Sequence, residues 1–201
     1  MTFVNKPMKK LILLLAVTIA LGANAQDMTA PVTTVLITNV PKTTFETINL
    51  TTDTVLIKGS TVIGTLDSQI TYPVEIRAER VSNPSTSNNV YAVSLHTKFG
   101  EKLTQVDFID YDELDTVIRA VQYISQANST VTPMDNFETV VRTRCGLSIA
   151  KVGRGNRVII AMTPGYVNAA RNLMASFVLD DLGRYLTAAK AKIDSVIASG
   201  Q

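Results

Sequence analysis

Five carboxylates within nine residues form the densest group of chemically useful side chains in the sequence. They are Asp107, Asp110, Asp112, Glu113 and Asp115. Ca²⁺ takes about six to eight oxygen ligands, so the four aspartates are candidate calcium ligands. A pair of carboxylates could also supply the acid and the base of a hydrolase. Neither pattern is specific, because the spacing lacks the glycine and the distal glutamate of an EF-hand loop.

The same carboxylates also fit the start of a helix. Asp110 followed three residues later by Glu113 has the spacing of a capping box. Acidic residues in a first helical turn are favoured by the helix dipole. We therefore expect this cluster to begin a helix, with calcium binding as an alternative and hydrolysis as a remote one.

A basic group follows later in the chain. Arg142 and Arg144 have the parity of one strand face, and Arg154 lies in a glycine-rich turn at residues 153–156. Guanidinium groups and free backbone N–H groups together can receive a phosphate, a sulfate or a uronate. We predict Arg142, Arg144 and Arg154 as anion-binding residues, the alternative being a solvated strand face paired with neighbouring acids. The chain has no Trp and no aromatic residues among these arginines, which disfavours stacking on nucleic-acid bases or on sugars.

The single cysteine and the single histidine exclude a transition-metal site built from three or four N/S ligands, and also a disulfide within the chain. Strand alternation over residues 141–149 places Cys145 on the apolar face, where a thiol is usually a small core residue. His96 has the parity of Ser94 and Lys98, so it is expected to face outward at the surface. A nucleophilic pair needs both side chains within hydrogen-bond reach. The sequence therefore favours a protein that is not an enzyme, and no cofactor is expected.

The first half of the chain is predicted to consist mainly of strands, and these elements must help to position the side chains described above. Thr and Val are frequent there, and β-branched residues suit strands. Turns are predicted at 58–60 and 82–89. The predicted strands are Val32–Val40, Phe45–Leu50, Thr54–Lys58, Thr61–Leu66, Tyr72–Val81, Val90–Phe99 and Lys102–Ile109.

The period of the pattern changes at Asp110. Apolar residues then recur every three or four positions, which predicts a helix to about Gln126 with one buried face. The residues of that face are Leu114, Val117, Ile118, Val121 and Ile124. Two more strands, Phe137–Lys151 and Arg157–Met162, precede a long helix predicted over Val167–Ala198.

This order of elements predicts an α+β domain rather than alternating βαβ units. We expect a mainly antiparallel, curved sheet packed on the mid-chain helix and the long C-terminal helix. A pleckstrin-homology-like barrel with a C-terminal helix is the alternative, and it rests on element order alone.

The N-terminal segment has the three parts of a secretory signal peptide. Three lysines precede the apolar run Leu11–Leu21, and small residues lead to a cleavage site between Ala25 and Gln26, with Met1 or Met8 as the start. The apolar run is too short for a membrane anchor, which needs about 20 residues. This leader resembles those of exported Bacteroidetes proteins. We expect residues 1–25 to be removed and residues 26–201 to form one domain in the periplasm, at the cell surface or outside the cell.

Charge and composition complete these expectations. Without the leader the chain has 16 basic and 17 acidic residues, so we expect no general electrostatic affinity for nucleic acid or anionic membranes. The chain is 46% hydrophobic and 18% charged, which is typical of a folded domain. We expect a non-catalytic binding or assembly module that meets a protein partner or a second copy through its C-terminal helix or a sheet edge. A domain that binds an anionic or apolar small ligand is the alternative.

Overall fold

The computed structural model describes residues 43–49, 52–67, 72–99, 103–163, 172–174 and 176–200. The predicted signal peptide, its predicted cleavage site and the predicted strand Val32–Val40 lie outside these ranges. The helices in the described ranges are α1 (Thr44–Asn49), α2 (Tyr111–Gln126) and α3 (Ser176–Ala198), with one 3-10 turn at Ser129–Val131. The strands are β1 (Ile57–Leu66), β2 (Val74–Asn83), β3 (Asn88–Phe99), β4 (Leu103–Asp110), β5 (Asn136–Arg142), β6 (Ser148–Arg154), β7 (Arg157–Thr163) and β8 (Asn172–Met174).

The strands form two antiparallel sheets. The first sheet has the order β1-β2-β3-β4, and the second has the order β5-β6-β7-β8, in which β8 contributes three residues. The α+β class with antiparallel sheets on a mid-chain and a C-terminal helix is confirmed, although two sheets replace the single sheet that we expected. The pleckstrin-homology-like barrel is wrong, because among the described residues each sheet is an open meander whose first and last strands do not pair with each other.

Helices α2 and α3 pack against each other and contact both sheets, so the two sheets share one core. The first sheet gives this core its inner face, which includes Val74, Ile76 and Ala78. The predicted apolar face of α2 is buried at all five positions, from Leu114 to Ile124. Helix α1 covers part of the outer face of the same sheet, where Phe45 heads a smaller apolar cluster.

Residues 45–50 were predicted as a strand, and the prediction is wrong because α1 covers Thr44–Asn49. Thr43 and Glu46 form a capping box at its start. The backbone N–H of Glu46 donates to Thr43 Oγ1 over 3.0 Å, and the N–H of Thr43 donates to Glu46 Oε2 over 3.0 Å. A tertiary contact adds to this, since the N–H groups of Thr44 and Phe45 donate to the Asp110 carboxylate over 2.8 and 3.1 Å.

Three other element boundaries differ from prediction. Strand β1 runs unbroken through residues 58–60, because Gly59 pairs with Arg80 in the ladder and a bulge follows only at Val62/Gly64. The strand predicted over residues 137–151 is split by a tight turn, where the N–H of Gly146, at φ 88°, donates to the Thr143 carbonyl. The last helix begins at Ser176 instead of residue 167, and residues 172–174 pair with β7 instead.

None of the helices in the described ranges is both long enough and apolar enough to span a membrane.

Candidate functional site

Several carboxylates of the acidic cluster form hydrogen bonds and ion pairs with other residues of the protein. Asp110 is the N-cap of α2 and forms the predicted capping box with Glu113. Arg144 reaches it from the β5–β6 turn, donating from Nη1 to Asp110 Oδ2 and from Nη2 to Asp112 Oδ2, both over 2.9 Å. The N–H of Arg144 donates to Glu113 Oε2 over 2.9 Å. Burial raises the pKa of Glu113, and the hydrogen bond to Asp112 is the main cause of the raised pKa of Arg144.

The candidate calcium ligands are not brought together. Asp107 is buried in the core-facing row of β4 and accepts a hydrogen bond from Gln105. Asp115 is exposed and lies 3.8 Å from Lys190 Nζ. Asp110 and Asp112 share Arg144 as their partner. Within the ranges that the structure describes, no three His, Cys, Asp or Glu side chains form a group suited to a metal ion.

The three candidate arginines are separated by the second sheet. Arg142 pairs with Ser148 at one end of β6, whereas Arg154 is at the other end and pairs with Asn136. The six steps between them span about 20 Å at ~3.3 Å per strand residue. Arg144 lies near Arg142 in the chain, but its guanidinium already forms ion pairs with Asp110 and Asp112. One small anion therefore cannot contact all three arginines.

Cys145 is 2% exposed, and burial raises the pKa of its thiol. Its Sγ lies 3.1 Å from Thr143 Oγ1. A reactive cysteine needs a partly exposed site that favours the thiolate, and this site disfavours it. The prediction of an inward-facing core thiol is confirmed, although Cys145 lies in the β5–β6 turn and not within a strand.

His96 lies on the outer face of the first sheet, as its parity predicts, but its side chain is only 18% exposed. Ser94 Oγ is 2.9 Å from His96 Nε2 and donates its proton to Glu79 Oε1 over 2.7 Å. A serine nucleophile must give its proton to the imidazole, and here the hydroxyl proton goes to the carboxylate. Ser94 is also fully buried, so this trio stabilises the sheet without the geometry of a catalytic triad.

An open groove lies between the inner face of the first sheet and the C-terminal half of α3. Its volume is about 240 Å³, and its floor is a row across three strands in which Gly59 pairs with Arg80 and Arg80 pairs with Tyr91. Lys192, Ile193 and Val196 of α3 form the opposite wall. We call this space the Arg80 groove.

Arg80 continues the alternation of Val74, Ile76 and Ala78 onto the inner face, beyond the point where the apolar core ends. Its Nη2 donates to Asn89 Oδ1 over 3.2 Å. Its Nε is buried and has no hydrogen-bond partner among the described residues. A buried donor left without a partner costs about 1–3 kcal/mol, and native proteins contain few of them.

The surroundings of Arg80 leave room for an anion. A Cβ added at Gly59, directly across the ladder, would meet no atom within 4 Å. Lys192 brings a second positive charge to the rim. Glu79 also lines the groove, but its carboxylate accepts from Ser94 on the other face of the sheet. The groove thus combines two cations and open space.

A second cavity, of about 350 Å³, adjoins the groove and shares Tyr91 as a wall. Polar side chains from the starts of α1, α2 and β3 and from the end of β4 dominate its lining. They are Thr44, Asn88, Asn89, Asp110, Tyr111 and Asp112. We call this space the Asp112 cavity.

Arg80 is a candidate site residue that the sequence analysis missed, although the signal was present. The alternation that placed Val74, Ile76 and Ala78 inward also places the next even-numbered residue inward. An arginine in the apolar row of a strand is unusual enough to mark a candidate site. No protein-family model, curated protein or solved structure matches the chain.

Proposed function

We propose that the protein is a non-catalytic, exported binding module that holds a small anionic ligand in the Arg80 groove. The observation that carries this proposal is the half-buried Arg80 side chain on the wall of an open groove that Lys192 also lines. An anionic oxygen in the groove would accept a charge-assisted hydrogen bond from the accessible part of the Arg80 guanidinium. Lys192 at the rim would add attraction for the same charge.

The volume limits what the ligand can be. Drug-sized ligands occupy pockets of about 300–1,000 Å³, so a groove of about 240 Å³ takes a small molecule or one end of a larger one. Ala78, Ile193 and Val196 supply apolar contact around the cations. A carboxylate or a phosphate with a short organic body fits this lining.

The test is titration of the protein, purified after export, with acetate and with inorganic phosphate, followed by backbone amide NMR shifts. We expect shifts at residues 59–61, 78–80 and 192–196, and we expect Arg80→Gln to remove them. Arg77→Gln is the matched control, because Arg77 is on the same strand but bonds to Glu75 on the outer face. If neither anion perturbs the groove, or if both arginine variants behave alike, the proposal fails.

A second variant tests whether the ligand occupies the open space beside Arg80, without changing the charge of the groove. Gly59→Val places a branched side chain in the open space beside Arg80 and suits a strand position. We expect this variant to fold and to lose anion binding, because the side chain fills the place of the ligand.

A second candidate function is self-association through β1, and a separate observation favours it. In the described part of the chain β1 pairs only with β2, and Ile57 and Val62 on it are 60% and 55% exposed, with Val55 just before it at 70%. Lys58 is the single charged residue of the strand, so its edge has little protection against pairing with another strand. Native mass spectrometry over a range of concentrations should then show a dimer that Ile57→Lys weakens, and a monomer throughout would exclude it.

A further inference from the structure

The Arg80 groove has charged groups at its rim and apolar groups at its inner end. Ala78 precedes Arg80 by two residues on β2 and so lies on the same face of the sheet, toward the core. Ala78 and Ile193 belong to the main apolar core and also line the groove, whereas Lys192 is exposed. A ligand whose charged group lies at the rim therefore meets apolar side chains with the rest of its body.

The charges around the groove match one negative charge more closely than two. Arg80 and Lys192 supply two positive charges. The carboxylate of Glu79, on the other face of the same strand, opposes them. The wall that α3 forms is close to the end of that helix at Ala198, and the carboxyl end of a helix carries about half a negative charge. A second negative charge on the ligand would therefore gain much less than the first.

The volume of the groove limits the size of the apolar part of the ligand. An apolar cavity of about 150 Å³ holds benzene, which is about 25 Å³ for each carbon atom. By that measure a groove of about 240 Å³ has room for roughly eight or nine heavy atoms. Hexanoate is a molecule of this size, and a longer chain would extend into solvent.

From this arrangement we propose that the ligand is a singly charged aliphatic carboxylate of about four to six carbons. Its carboxylate binds Arg80 and Lys192, and its hydrocarbon chain packs on Ala78, Ile193 and Val196. This inference rests on the proposed function for its charged end. It adds that the ligand is a carboxylate and not a phosphate, and that its chain contributes to binding.

The experiment titrates the exported protein with acetate, butyrate, hexanoate and octanoate, followed by the amide NMR shifts of the groove. Full burial of a methylene corresponds to about a fourfold gain in affinity, so an open groove should give about twofold for each. We expect hexanoate to bind at least about tenfold more tightly than acetate. Octanoate should gain little over hexanoate, because its added carbons lie outside the groove.

Two analogues of hexanoate test the number of charges. Adipate has the same number of carbons and a second carboxylate, and hexanamide has no charge. We expect each to bind at least about tenfold more weakly than hexanoate, and inorganic phosphate to bind more weakly than hexanoate as well. In Arg80→Gln the preference for hexanoate over hexanamide should disappear, as a thermodynamic cycle requires for contacting groups.

A variant on α3 tests the contact with the hydrocarbon chain. Val196→Thr keeps the shape of the side chain but replaces a methyl group with a hydroxyl, so it should lower the ratio of hexanoate to acetate affinity about threefold. Ile197→Thr is the matched control, because Ile197 is on the same helix, is 43% exposed and lies outside the described lining of the groove. Thermal melts of each variant show that it is folded before it is titrated.

The outcomes separate the two proposals. If acetate and hexanoate bind equally, or if adipate or phosphate binds as tightly as hexanoate, and Arg80→Gln still weakens binding, this inference is overturned and anion binding stands. Equal binding of hexanamide and hexanoate also overturns it, because the carboxylate then has no role. If no anion of the series responds to Arg80→Gln, the proposed function fails and the inference fails with it.

Discussion

The ring of Tyr185 lies where a side chain at Gly64 would begin. A Cβ built at Gly64 would approach three ring atoms of Tyr185 to less than 3.0 Å, a separation that real Cβ atoms essentially never show. Gly64 is on β1 just after its bulge, and Tyr185 is on α3 and packs against the main core. The missing side chain therefore sets how closely α3 approaches the edge of the first sheet, and the same helix forms one wall of the Arg80 groove.

Gly64→Ala should destabilise the protein by about 1–3 kcal/mol, the usual cost of overpacking a close contact. Gly59→Ala is the matched control on the same strand, because a Cβ there meets nothing within 4 Å. We expect the control to change the free energy of unfolding by less than ~1 kcal/mol. Urea denaturation of both variants measures the difference, and equal stabilities would show that Tyr185 moves aside without cost.

Asp110 links α1, α2 and the β5–β6 turn, so its substitution should weaken the contacts of all three. Its carboxylate accepts from two N–H groups of α1 and from Arg144, while it caps α2. Asp110→Asn keeps the shape but removes the charge, and hydrogen bonds to charged groups contribute about 1.5–3 kcal/mol each. Since Arg144 stays partly in solvent, we expect a loss of about 2–3 kcal/mol in the free energy of unfolding.

Asp112→Asn is the comparison for that variant. Asp112 contacts the same arginine, but it is two-thirds exposed, and surface pairs contribute about 0–1 kcal/mol. If the two variants lose the same stability, then burial of Asp110 and its bonds to α1 do not have the role that we assign to them.

Cys145 should react slowly with a disulfide reagent such as DTNB in the native protein. Its burial excludes the reagent and raises the pKa of the thiol, so the reactive thiolate is scarce. We expect the reaction to become at least about 100-fold faster in urea, where the thiol has the pKa of a free cysteine near 8.5. A fast reaction under native conditions would mean that the β5–β6 turn opens readily.

The accuracy of the sequence analysis depended on how local each signal was. The buried face of α2 was predicted at every position, because a helical period is contained within sixteen residues and its capping box is adjacent. Helix α1 was missed because its β-branched residues favour a strand, whereas two of its N–H groups are satisfied by Asp110, more than 60 residues away. Local propensity carries no information about such a partner.

The same contrast between local and non-local signals applies to the candidate site. Arg80 could have been found from strand parity, which is local, but its neighbours in space could not. Lys192 comes from a helix more than 100 residues later, and the pairing of Gly59 with Arg80 depends on the register of a hairpin. The prediction of three arginines in one site did not account for the length of β6, which separates Arg142 from Arg154. Residue types indicate which chemistry is available, but only the fold shows which of these residues lie close together.

The last prediction concerns pH and the contact between α2 and α3. Tyr111 donates to Asp194 Oδ1 over 2.5 Å, and Lys190 donates to Asp194 Oδ2 over 3.0 Å. The hydrogen bond from Tyr111, followed by that from Lys190, lowers the pKa of Asp194, and the same bond to Asp194 raises the pKa of Tyr111. The stabilising effect of Asp194 is therefore present above its unfolded pKa of about 3.9 and is lost as the pH falls through its lower folded pKa.

The effect of Tyr111 has the opposite sign. Because its folded pKa is raised, its contribution is complete below the unfolded pKa of about 10 and is lost as the pH rises through the folded pKa. We therefore expect Asp194→Asn to differ most from the native protein between about pH 5 and pH 9, with the two converging in stronger acid and in stronger base. Urea denaturation at a series of pH values measures this difference, with Asp180→Asn, an exposed carboxylate on the same helix, as the control. A difference that stays constant from pH 3 to pH 7 would mean that the Asp194 charge does not contribute to the contact.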